Sequence, residues 1–249
     1  MPVASRKPGW QSGNLIFSAV PPEEAEKLLP HLELIELAGR QEIHPSGAHL
    51  SHLYFPLDCV VAKLGISRQG STVQYALIGR EGFLGLNVLL GDTRAVGYAI
   101  VQSAGSCYRV AARPLMEAFR RSEELRWAVL RYASWRVLQT SQTSLCNAHH
   151  TVEQRLCCWL LQTLDRVAVR ELSITQQFVA SVLGVRREAV TIAALRLQAQ
   201  HAIQCSRGHI AVLEPRQLEA LCCECYAVLK DGVERLARDI GATSGSQAR

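Results

Sequence analysis

The residues best equipped for chemistry lie between Thr175 and Leu213. Arg186, Arg187 and Glu188 follow Gly184 and Val185 and open a run in which Val190, Ala193, Ala194 and Leu197 recur at i, i+3, i+4 and i+7, the spacing of one buried helix face. That leaves Arg187, Glu188, Thr191, Ile192 and Leu195 nearer the outside. A guanidinium is a planar fork that matches the O6 and N7 acceptors of guanine in a major groove, at about 1–3 kcal/mol of discrimination per good pair. Glu188 can accept from a cytosine amino group or orient Arg187, whereas Ile192 can at most touch a thymine methyl. Upstream, Ser173 or Thr175 can cap a helix whose core side is Val179, Val182 and Leu183, with Ala180 small enough for a second helix to cross closely. Thr175 and Gln176, at the positive end of that helix, can donate to a phosphate. Gly184 supplies the positive backbone torsion of a sharp turn between helices, and Val185 plugs the angle. Downstream, residues 202–205 and 209–213 are short apolar strands joined through Ser206, Arg207 and Gly208, a hairpin that brings Arg207 and His209 to where a wing approaches phosphates. The set describes a winged helix-turn-helix, and its partner chemistry is duplex DNA.

Other candidates carry less. The chain has nine cysteines among 249 residues, an odd number in a chain long enough to bury a core without staples, so reduced thiols are the expectation. Cys222, Cys223 and Cys225 are close in sequence but lack a second paired motif at zinc-finger spacing. Cys157 and Cys158 fall on an amphipathic helix where small thiols pack well. Both groups read as structural, and no residue is assigned to metal. His149 and His150, at a helix junction, read as polar surface although imidazole titrates near neutrality. No glycine-rich phosphate loop, His-Glu-x-x-His pair or nucleophile elbow occurs, so no catalytic residue is assigned and an enzyme is not expected.

These side chains need a frame. Composition is that of an ordinary globular protein, 48% hydrophobic and 20% charged with net charge +5, which permits a polyanionic partner without demanding one. Residues 1–14 and 241–249 read as flexible tails, and Pro21 with the acidic residues after it starts a short helix. Short runs at 32–37, 53–55, 60–66, 72–78, 98–101 and 107–110, punctuated by glycines, predict an antiparallel β-roll over 15–121. Residues 122–148 hold neither Pro nor Gly and predict one long helix. Its apolar residues, among them Trp127, Leu130, Trp135, Val137 and Leu145, spread over more than one face, so a partner helix from a second copy is the simplest cover, with burial inside one subunit the alternative. Residues 152–167 predict another helix. The expected organisation is therefore an α+β chain, with an effector-like roll at 15–121, a dimerisation helix at 122–150 and the winged helix-turn-helix at 151–240. No run of about 20 apolar residues and no apolar segment near the start is found, so a cytoplasmic protein without membrane contact is expected.

Nearly the whole chain from Leu15 to Ile240 resembles the cyclic-AMP receptor protein and fumarate-nitrate regulator superfamily, Crp/Fnr. The resemblance rests on Leu53-Tyr54-Phe55-Pro56, on Ile78-Gly79-Arg80-Glu81-Gly82-Phe83-Leu84-Gly85, and on Arg187 with Glu188. It implies a homodimer that reads a two-fold symmetric site and recruits or blocks RNA polymerase. It also implies differences. Ile192 stands where the family often has a second recognition arginine, so the preferred DNA sequence should differ. Cyclic-nucleotide-binding members carry Gly-Glu and then Arg-Ser or Arg-Thr, whereas here Gly85 precedes Leu86 and Arg94 precedes Ala95. Arg94 is the one group left that could hold a phosphate, and it reads better as a surface arginine. No cofactor is evident, the effector is unknown, and cyclic AMP is not expected to bind.

Overall fold

The computed structural model describes residues 13–245; residues 1–12 of the first expected tail and 246–249 of the second lie outside the described residues. The part of the N-terminal tail that is described is not loose. Asn14 is buried, its amide donates to Pro56 O at 2.9 Å and Gly82 O at 2.8 Å, and its carbonyl accepts from Ile16 N, which pins the entering chain to the roll. At the other end the helix continues to Gly245, into the expected second tail.

Helix α1 (Pro22–Leu28) leads into seven strands: β1 (Leu32–Leu37), β2 (Glu42–His44), β3 (His52–Pro56), β4 (Val60–Ile66), β5 (Thr72–Ile78), β6 (Tyr98–Ser103) and β7 (Gly105–Ala111). They form two antiparallel sheets in the orders β1-β7-β3 and β2-β6-β4-β5, with the short α2 (Leu86–Leu89) between β5 and β6. β4 lies between two neighbours and is buried through Leu64. Lys63 is caught in that burial, 5.5 Å from the Tyr75 ring centre, and desolvation, with the positive Arg136 nearby, pulls its pKa down to about 8. The unfolded chain recovers the ordinary lysine value, so below about pH 8 the charge is carried at a cost in the folded state, and that cost fades as both states lose the proton near pH 10. Lys63→Met should therefore raise stability by about 1–3 kcal/mol at pH 7, with the gain shrinking towards pH 10; urea unfolding at the two pH values checks it.

After α3 (Ala112–Arg121), Ser122 caps α4 (Glu123–His149), accepting from Leu125 N. A ladder of rings fixes α4 to the roll: Phe17 on Phe55 at 4.2 Å, Phe55 on Phe83 at 4.9 Å, and Phe83 on Tyr132 at 5.1 Å. Tyr132 lies so close over Gly82 that a Cβ there would sit 2.0 Å from the ring, so only glycine admits this approach. Tyr132 donates to Phe83 O and the Gln139 amide nitrogen to Leu77 O, which ties the inner face of α4 to the roll.

A break at His150 precedes α5 (Val152–Leu164), which opens with a capping box between Thr151 and Gln154. Then follow β8 (Glu171–Leu172), α6 (Gln176–Leu183), α7 (Arg187–Ala199), β9 (Ile203–Ser206), β10 (His209–Val212) and α8 (Pro215–Leu221), with β8, β10 and β9 as a third small sheet. This module is docked on the roll. Thr72 donates to Ser181 O, Gln102 to Thr163, and Trp159 to Gln74. The Arg166–Glu81 ion pair closes the joint at 2.8 Å with both side chains 5–7% exposed.

The last helix, α9 (Cys225–Gly245), corrects the expected boundary at residue 240. It leaves the winged module and packs along α4, with Gly232 against Trp135 and Leu138 and Arg131 donating to Asp239 O. It thus covers a flank of α4 within the chain. Among the residues left exposed on α4 is a stripe of Trp127, Leu130, Ser134, Val137, Ser141, Leu145 and Ala148, none of them charged; Glu123, Thr140, Ser144 and His149 are exposed as well. The turn into α9 also overturns the reading of His150 as polar surface: its side chain is 13% exposed and meets Cys225 and Glu224, whereas His149 is exposed as expected.

Candidate nucleic-acid interface

Thr175 takes an extended backbone and accepts from Phe178 N at 3.2 Å, starting α6 as its sequence demands. Gly184 has φ +65 and ends α6 in the left-handed region, where its missing side chain also lets the turn rest on Val73. Arg186 is the extended residue just before α7 rather than its first helical residue. The helix turns Val190, Ala193, Ala194 and Leu197 inward, and Arg187, Glu188, Ile192 and Leu195 outward, with Leu195 58% exposed.

Gln176 and Thr191 meet: the Thr191 hydroxyl donates to Gln176 Oε1 at 2.8 Å, which clamps the start of α6 to the outer face of α7 and leaves the Gln176 amide N–H groups as donors. The hairpin is a two-residue turn, Arg207 and Gly208 at φ +79, pairing Ser206 with His209. His209 lies 3.7 Å from Glu171 on β8, so its imidazole is shared with a carboxylate that the sequence reading did not place there. Between hairpin and helices lies a groove of about 420 Å³ whose walls include Thr175, Gln176, Arg187, Arg207 and His209. The fold therefore converges five of the nine expected residues on one concavity; Arg186, Glu188, Thr191 and Ile192 lie outside that lining. Gln177 and Ser206 also line it and were not singled out, although Gln177 continues the Thr175-Gln176 run.

Residues 154–221 match the Crp-like helix-turn-helix domain. The chain carries a Crp-like helix-turn-helix domain in a Crp/Fnr fold. FixK2 from Bradyrhizobium japonicum superposes with TM-score 0.66 at 16% identity, over 77% of this chain and 98% of its own. A Crp/Fnr-family transcriptional regulator from Thermus thermophilus gives TM-score 0.61 at 20% identity, over 76% of this chain and 97% of its own. No curated protein sequence matches the chain. The segment from Gly85 to Ala95 joins the first part of the roll to β6. There Leu86 packs on the core, Ala95 is buried, and Arg94 is exposed, its N–H donating to Asp92. No helix among the described residues is long and apolar enough to cross a membrane.

Proposed function

We propose that this chain is a sequence-specific transcription regulator that binds duplex DNA as a homodimer on a two-fold symmetric site, without dependence on cyclic AMP and without catalytic activity. The observation that carries the reading is the groove in which Thr175, Gln176, Arg187, Arg207 and His209 meet, flanked by the exposed face of α7. α7 enters the major groove with Arg187 and Glu188 at base edges and Ile192 against a thymine methyl. The start of α6 and the Arg207 hairpin lie against the phosphates. The uncharged stripe on α4 is the seam between two copies, which places two such helices about one turn of DNA apart. Such a dimer works in the cytoplasm by recruiting or blocking RNA polymerase. Independence from cyclic AMP is supported by Leu86 and Ala95, which offer neither a carboxylate to a ribose nor a hydroxyl to a phosphate. Arg94 could still meet an anionic effector at the surface.

Selection of bound fragments from a random DNA pool tests the reading directly, and two variants separate the roles. Arg187→Ala should lower affinity for the selected site by about 1–3 kcal/mol while leaving non-specific binding unchanged. Arg207→Ala should weaken all sequences alike and reduce the salt slope by about one ion. Identical behaviour of the two variants would refute the groove and wing assignment.

A further inference from the structure

The last turn of α4 and the turn into α9 bring together a set of side chains that DNA binding does not use. Cys146 and His150, one helical turn apart, face Cys223 and Cys225, and the four ligand atoms all lie within 4.8 Å of one another. We propose that Cys146, His150, Cys223 and Cys225 form a mononuclear site for a thiophilic divalent cation of the Zn²⁺ class.

The distances are those of a coordination tetrahedron. With Zn–S near 2.3 Å and Zn–N near 2.0 Å, the edges of a tetrahedral site come to roughly 3.5–3.8 Å. Cys146 Sγ stands 3.6 Å from Cys223 Sγ, and Cys225 Sγ stands 3.4 Å from His150 Nδ1. An iron-sulfur cluster spreads its four protein ligands over two or more irons, whereas here all four ligand atoms lie within 4.8 Å of one another, within reach of one ion. The surroundings are also those of a metal site. The other imidazole nitrogen, His150 Nε2, is 3.3 Å from Glu224 Oε1, the carboxylate contact that fixes the tautomer and orientation of a ligating histidine. Gln142 donates to Cys225 Sγ at 3.1 Å. The three cysteines are buried. Soft thiolates with one imidazole select zinc over magnesium or calcium. Cys158 and Cys222 form only a three-ligand set with Cys223, so the four-ligand set is the complete one.

The experiment is reconstitution of the full reduced chain with Zn²⁺, removal of the excess, and elemental analysis, with Co²⁺ as a spectroscopic substitute. One zinc per chain is expected, together with the visible bands and thiolate charge transfer of tetrahedral cobalt bound by sulfur and nitrogen. Cys225→Ser and His150→Ala should each weaken binding at least about tenfold, and Glu224→Gln about 10–100-fold, as loss of an outer partner does. Cys158→Ser and Cys59→Ser should keep the metal. The cobalt spectrum of the unaltered chain decides the matter even where a variant loses its fold. The proposal falls if no metal is retained, if Cys158→Ser removes it while His150→Ala does not, if an iron-sulfur chromophore appears, or if Cys146 and Cys223 are found joined as a disulfide.

Discussion

A chain carrying Val137→Glu should sediment as a monomer, lose at least about a hundredfold in affinity for its two-fold site, and still unfold cooperatively. Val137 is 68% exposed at the middle of the α4 stripe. The neighbouring stripe residues, Leu130, Ser134 and Ser141, are also exposed, and none of them is charged. Spacings of three and four residues are those of a helix pair's seam. In the proposed dimer Val137 meets its own copy across the two-fold axis, so the substitution sets two carboxylates face to face, while within one chain it replaces an exposed side chain. Losing the second half-site removes the effective concentration that links two binding events, a factor of about 10²–10⁴. Analytical ultracentrifugation and DNA titration read the two effects, and a variant that stays dimeric would show that the seam lies elsewhere.

Arg166→Ala should cost about 3–5 kcal/mol of stability, because it strands the Glu81 carboxylate inside the protein. The pair is buried on both sides, and Glu81 also accepts from Gly79 N at 3.2 Å, so the carboxylate cannot turn to water without breaking the loop after β5. Replacing both partners, Arg166→Met with Glu81→Leu, should recover most of the loss, since well-packed apolar side chains often match a buried ion pair. Because Arg166 lies just past the end of α5 and Glu81 belongs to the roll, the single variant should also loosen the winged module from the roll, seen as faster amide exchange in β5 and α6. Equal stability of the single variant and the parent chain would count against a dry joint.

Much of this architecture can be read from the chain itself. The limits of β4 and β5 follow from their runs of branched and apolar residues, and α4 from 27 residues without Pro or Gly. The turn at Gly184 and the inward face of α7 follow from periodicity. Two strands escape it: β2 with three residues and β8 with two are too short to show alternation. The contact of His209 with Glu171 escapes with β8. The destination of α9 cannot be read locally, because an amphipathic helix does not say which surface it will cover. The cysteine group is the sharpest case. Cys146 and Cys223 are 77 positions apart, and sequence spacing shows only the half of the set that is adjacent in the chain.

The return of α9 to α4 means that the DNA-reading module is not a pendant on one stalk. It is a loop of the polypeptide with both feet planted on the same stem, one at His150 and the other at Cys225, and those feet touch. A body so held, and docked on the roll through Arg166 and Glu81 as well, cannot swivel freely. Whatever changes the grip at that shared foothold therefore changes the pitch at which α7 meets the double helix.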